Sequence, residues 1–325
     1  MISTRSTMEL FTRDDGQALR VVEGFRERVL AAAQHSPRAD WNDERYAAKA
    51  RKKVRHTRRF VEEAARVGGT VEGARVLEVG CGAGIESILT ATWPVDSVVG
   101  IDVSLPLLDP GDKGDRMRRL AGEALAAMGA PADLDAVLRQ RPIRFETMDA
   151  TRMAFPDNSF DVLRSWATME HIVPPEPALA EMARVVRPGG LIYHGIDPFF
   201  WLKGCHKRGV VDIPWAHARL TPAEYHRFVA EHEGEDTAAR RSQFLKTLNQ
   251  FTSRQWRTTL ESGPFEILAW IEERSSFAET LLGEYPDVPD TLLDGVKRAD
   301  LMSGPIRVWM RVAKAGTVAG EIDGL

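Results

Sequence analysis

In the run VLEVGCGAG, residues 76–84, Gly80, Gly82 and Gly84 follow an apolar stretch and precede a helical pattern. Glycines at such a turn let the backbone enter conformations closed to other residues and let a ligand lie against the chain. Eighteen residues after Gly84, Asp102 ends the next apolar run, VVGID. A carboxylate there can accept hydrogen bonds from both hydroxyls of a ribose. Read alone, the pair also fits a dinucleotide-binding oxidoreductase or a structural turn. Two further residues could move a proton: His171 in ATMEHI and Asp197 in YHGIDP each follow an apolar run. In an open α/β sheet, ligands gather beyond the carboxyl ends of the strands. His217, in IPWAH, is a third candidate, whereas His194 lies inside a strand and reads as core. His194, Asp197, His206 and His217 match no regular metal-ligand spacing, so no metal is expected.

The elements that must position these residues alternate as strands and helices. RVLEV (75–79), SVVGID (97–102), IRFETM (143–148), FDVLRS (160–165) and GLIYHGID (190–197) read as strands, with helices starting near Ile85, Asp115 and Glu176. FEILAWIEE (265–273) and PIRVWMRVA (305–313) supply two later strands, and a helix starts at Thr252-Ser253. Four segments follow: a helical N-terminal extension (1–71), a core (72–197), an inserted cap (198–251) and the C-terminal part of the sheet (252–325). The extension holds a helix over 16–34, ended by His35-Ser36-Pro37, and a basic helix over about 42–67.

The chain resembles the class I S-adenosylmethionine-dependent methyltransferases, in particular small-molecule enzymes similar to ubiquinone and menaquinone biosynthesis methyltransferases. EVGCGAG, GIDVS, MDATRMAFPDNSFDVLRS, ATMEHI and RVVRPGGLI carry the likeness, in that order. It implies an α/β, Rossmann-like sheet of seven strands with the last antiparallel, an N-terminal helical cover and an inserted cap. It also implies that Glu78 and the backbone of Gly80, Cys81 and Gly82 surround the methionine part of S-adenosylmethionine, with Gly84 closing the loop. Asp102 would hold the ribose, Val103 would pack on adenine, and Asp149 with the Ala150 amide would meet the adenine edge. Ser165 and Trp166 would offer carbonyls to the cofactor's amino group. Plainer readings stand beside these: Glu78 paired with the basic helix, Asp149 capping Thr151, Ser165 ending a strand.

The acceptor is expected to be a small metabolite, methylated at oxygen, and bulky or aromatic as in secondary metabolism; methylation at nitrogen or carbon, a peptide or protein acceptor, and a repurposed cofactor-binding protein without turnover are the alternative readings. Phe199, Phe200, Trp201, His206 and Trp215 are the expected pocket residues. Hydrophobic residues make up 43% and charged residues 28%, with a net charge of −4, which gives no global argument for nucleic acid. RYAAKARKKVRHTRRF carries eight Lys or Arg on the back of an apolar helical stripe; it reads as a cover for the cofactor in preference to an RNA-binding face. Two cysteines, no long apolar run and a polar N-terminus predict a cytoplasmic protein with no membrane span. A homodimer is an allowed partner state.

Overall fold

The computed structural model describes residues 9–32 and 41–313. A short hairpin, β1 (Leu10–Thr12) and β2 (Ala18–Arg20), precedes helices α1 (Phe25–Ala32) and α2 (Asp43–Arg66). Then come β3 (Arg75–Val79), α3 (Ile85–Thr90), β4 (Ser97–Asp102), α4 (Asp112–Met128), α5 (Leu134–Gln140) and β5 (Ile143–Thr147). β6 (Phe160–Trp166), α6 (Glu176–Val185) and β7 (Val186–Ile196) complete the parallel part. The cap carries α7 (His206–Gly209), α8 (Ala216–Arg219), α9 (Pro222–Glu233) and α10 (Glu235–Leu245). The chain ends through α11 (Ser253–Glu261), β8 (Phe265–Arg274), α12 (Ser276–Glu284), α13 (Arg298–Met302) and β9 (Ser303–Val312).

Seven strands form one sheet in the order β5-β4-β3-β6-β7-β9-β8, with β9 antiparallel to both neighbours. This is the expected α/β architecture. Val76, Leu77, Val79, Val98, Val99 and Ile101 are all buried, as β-branched and aliphatic residues must be in central strands covered on both faces. From β3 the chain proceeds outward to β4 and β5, then returns to place β6 on the other side. The order therefore reverses between β3 and β6, which opens a crevice beyond their carboxyl ends.

The helix expected over 16–34 is a helix only from Phe25, as α1; its first part is the turn at Gly16 and strand β2, which pairs with β1. Gly16, at φ +86, turns the chain between the two strands, and the Gln17 carbonyl accepts from the Arg13 amide at 2.9 Å. A left-handed glycine is costly in a helix and natural in a tight turn. The breaker at His35-Ser36-Pro37 lies outside the described residues. Phe11, Leu19, Phe25 and Val29 join one apolar cluster with the cap's Trp215 and Phe228 and with Leu281 and Leu301. The cap is thus assembled from three stretches of chain, across the divisions expected at 71 and 251, and the hairpin and α1 belong to it.

Helix α2 matches its expectation closely. Asn42 caps it by accepting from the Arg45 amide at 2.9 Å, and Tyr46, Ala50, Val54, Thr57, Phe60 and Ala64 form its buried stripe. At its far end Glu63 accepts from the Trp309 indole at 3.0 Å and the Arg307 guanidinium at 3.1 Å, both on β9. Midway lies a buried ionic cluster. Arg164 on β6 sits 3.5 Å from Glu78 on β3 and 3.7 Å from Glu86 on α3, under the ring of Phe60. Glu86 also meets Lys53 and His56 of α2, each at 3.1 Å. Burial raises the Glu78 carboxyl despite the Arg164 charge; at Glu86 burial is outweighed by Lys53, His56 and Arg164, which hold it low.

Breaking a buried ion pair by removing one partner costs about 3–5 kcal/mol. Arg164→Leu should lose about 3 kcal/mol in denaturant titration, near the low end because Glu78 can take up a proton. Arg257→Leu, which breaks the exposed pair with Glu261, should lose under about 1 kcal/mol. Equal losses would show that the cluster does not couple α2 to the sheet.

Candidate active site

The β3–β6 crevice is a cleft of about 580 Å³ lined by the glycine loop, the ends of β4 and β5 and the segment after β6. Amides of Gly80 and Cys81 donate to the Ile101 carbonyl at 2.8 and 3.0 Å, which draws the loop across β4. The Asp102 carboxylate accepts from the Gly82 amide at 2.7 Å and from the Ser104 amide at 3.0 Å, so loop and acid are built as one unit. Gly80 has φ +72, and a Cβ there would collide with Thr168; Gly82 has φ +55 with open space where its Cβ would stand. The loop thus presents bare backbone to the cleft. Val103 is 74% exposed and Val173 54%, two large apolar side chains left uncovered at the cleft wall.

A second, larger cavity of about 760 Å³ adjoins the first, and His171 lines both. One wall is α2, contributing Arg45, Lys49, Lys52, Arg55, His56 and Arg59. The facing wall is the cap, contributing Trp201, Lys203, His206, Lys207, Arg208 and Phe244. Asp197 and Glu273 are its carboxylates. The rings of His171 and His206 stack with centroids 4.9 Å apart. Burial pushes the Asp197 carboxyl up to about 6, against the pull of Lys52 and Lys203. Glu170, behind His171, is buried, and among the described residues neither of its oxygens finds a hydrogen-bond donor. Burial and then the Asp197 charge raise it well above its ordinary value. Burial lowers the imidazole of His171, which is therefore neutral there.

The structure brings Gly80, Gly82, Asp102, Val103, Asp149, Ala150 and His171 to the first cavity. It brings Trp166, His171, Asp197, Trp201 and His206 to the second. Other expected residues lie elsewhere. Glu78 turns into the buried cluster, hydrogen-bonded by Ser87, and the partner of the basic helix is Glu86 in its place. The Ser165 hydroxyl turns inward to His194 Nδ1 at 2.7 Å, which does not bear on the role expected of its backbone carbonyl, and Gly84 packs against Phe145. The Cys81 thiol is raised by burial and by the charges of Glu78 and Asp102, so it remains protonated. Phe199, Phe200 and His217 line a separate cavity of about 350 Å³ inside the cap, and Trp215 is buried in the cap core. His217 Nε2 is 3.0 Å from the Trp201 carbonyl and burial lowers it to about 4, so it is not assembled with His171 and Asp197. Aromatic side chains are alike in sequence whether they face a cavity or a core.

Asp149 bonds the Thr151 amide and hydroxyl, both at 2.8 Å, as a turn-capping acid does. Glu170, His171 and His206 each bring one donor atom to within 4.8 Å of the others, a trio that no spacing rule suggested. The surrounding lysines and arginines oppose a divalent cation there. Sequence reasoning missed Thr168, Val173 and the cavity-facing cations. The latter had a signal, because positions 45, 49, 52, 56 and 59 recur along one face of a helix.

A left-handed conformation costs a residue with a Cβ about 1–2 kcal/mol. Gly82→Ala should lose that amount in denaturant titration, and Gly80→Ala should lose more because Thr168 must also move. Equal losses would remove Thr168 from the account of the loop.

Comparison with known proteins agrees with this geometry. Residues 77–194 match the family model described as a methyltransferase domain. A demethylmenaquinone methyltransferase from Renibacterium salmoninarum is 36% identical over 138 residues, 42% of this chain and 46% of that protein. A ubiquinone biosynthesis O-methyltransferase from Rhizobium rhizogenes is 33% identical over 123 residues, 38% of this chain and 41% of that protein. A 27-O-demethylrifamycin SV methyltransferase from Amycolatopsis mediterranei is 31% identical, over 38% of each chain. The chain covers less than half the length of these relatives, and residues 77–194, which match the family model, hold the glycine loop, Asp102, Asp149 and His171. Residues 77–194 are thus a methyltransferase domain of the class I S-adenosylmethionine-dependent kind.

Proposed function

We propose that this chain transfers the methyl group of S-adenosylmethionine to an oxygen of a small, bulky or aromatic acceptor. The observation that carries the reading is the pair of cavities meeting at His171, one lined by bare glycine backbone and Asp102, the other by aromatic and charged side chains. When bound, S-adenosylmethionine supplies an activated methyl group on a sulfonium. The protein's tasks are then alignment and exclusion of water.

The residues of the first cavity suit that cofactor. Asp102 keeps acceptor capacity beyond its two amide bonds and stands where ribose hydroxyls would reach it. Val103 and Val173 offer apolar cover to adenine, and Asp149 retains its second oxygen, Oδ2, for the adenine amino group. The amides and carbonyls of the loop would meet the methionine part. With Glu78 engaged by Ser87 and Arg164, its contribution is to hold the loop's supporting strand.

In the second cavity Asp197 is the group suited to take the acceptor's proton. Its raised carboxyl titrates near the range in which a base works, and His171 beside it is neutral. The base must be ionised to act, so its contribution appears as pH rises through about 6 and is absent below.

Incubation with S-adenosylmethionine labelled in the methyl group and a metabolite extract should yield a labelled small molecule. Labelling of protein or of nothing would contradict the reading. Asp102→Ala should weaken cofactor binding by about tenfold, or about 1.4 kcal/mol. With the acceptor in hand, Asp197→Asn should lower the rate by about a hundredfold and abolish its rise near pH 6. An unchanged pH profile would exclude Asp197 as the base.

A further inference from the structure

The second cavity has a charge that alignment of a neutral acceptor does not require. Eight lysines and arginines line it, five on α2 and three on the cap, against the carboxylates of Asp197 and Glu273. Glu273 is already engaged by Arg59 at 3.3 Å and by Arg307. These cations do not form a solvated helix face, because the two sets stand on facing walls and are separated by more than a hundred residues of sequence. Lys49 and Lys203 are partly buried there. Desolvation and neighbouring cations, Arg45 and Lys52 at Lys49 and Lys52 at Lys203, lower both ammonium groups. Crowding like charges in a concave, partly dry space is unfavourable by itself and becomes favourable when an anion enters. Aromatic surface lies beside the charge: Lys203 is 5.1 Å from the Trp201 ring, and the stacked His171 and His206 form the floor nearest the first cavity.

We infer that the methyl acceptor is an anionic molecule whose carboxylate or phosphate group is held between α2 and the cap, with a flat portion lying on Trp201 and His206. The inference rests on the proposed function for the word acceptor; the anion site itself rests on the cavity alone. Held in this way, the acceptor's reactive oxygen points toward His171, where the two cavities join, with Asp197 in the same basic cavity. Guanidinium and ammonium groups on two walls also supply specificity, because a neutral analogue would not offset their mutual repulsion.

The test is calorimetric titration of the full chain with 2-naphthoate, 2-naphthyl phosphate and neutral 2-naphthamide, with and without S-adenosylhomocysteine. At least one anion should bind about tenfold more tightly than the amide, and the tighter of the two identifies the anionic group. The advantage should shrink with added salt. It should also fall to within about threefold in Lys49→Gln/Lys203→Gln and in the alternative variant Lys203→Gln/Lys207→Gln. Amide binding equal to both anions, absence of saturable binding by either anion, or an unchanged preference in both variants would overturn the inference. So would single-stranded RNA binding more tightly than any probe with a salt slope of several ions, since the cations would then serve a polymer. Failure of S-adenosylhomocysteine to bind would sink the proposed function instead, and would leave the anion preference to be read without it.

Discussion

A fully buried arginine is the constraint around which this molecule is arranged. Arg164 cannot lose its proton and cannot reach water, so β3 and α3 must bring Glu78 and Glu86 to it. Glu86 in turn takes hold of Lys53 and His56, and the Phe60 ring covers the guanidinium. One ionic cluster therefore fixes the strand that precedes the glycine loop, the helix that follows it and the long basic helix above both.

The two cavities follow from that arrangement. On the sheet side the β3–β6 reversal and the Asp102–Gly82 bond shape a cleft with exposed backbone and two carboxylates, Asp102 and Asp149. On the helix side α2 and the cap confront each other with like charges. His171, after the carboxyl end of β6, lines both regions, and Asp197, after the end of β7, lines the basic one. A transfer reaction needs two ligands kept apart except at one point, and the fold provides that geometry by packing alone.

Much of this was legible from residues. The parallel strands could be placed within a few residues because buried β-branched runs such as SVVGID and FDVLRS have no competing periodicity. Asp102 was legible because its distance from the loop is set by one helix and one strand. The hairpin at 10–20 was not, since ALRVV suits either a helix or a strand and only its packing in the cap decides. That Phe199, Phe200, Trp215 and His217 would lie apart from the basic cavity was not legible for a related reason. A cap needs its own core, and the same aromatic residues build cores and pockets. The cavity-facing cations were visible as a helical stripe, but what stood opposite them depended on a contact between distant parts of the chain.

The account stands on the claim that cofactor and acceptor occupy separate cavities that touch at His171. A crystal structure of the chain with S-adenosylhomocysteine tests it most directly. The account predicts the ribose hydroxyls on the Asp102 carboxylate, adenine beside Val103, and the sulfur facing His171 at the opening to the basic cavity. A nucleoside lodged among the cations of α2, or a sulfur turned away from His171, would contradict it.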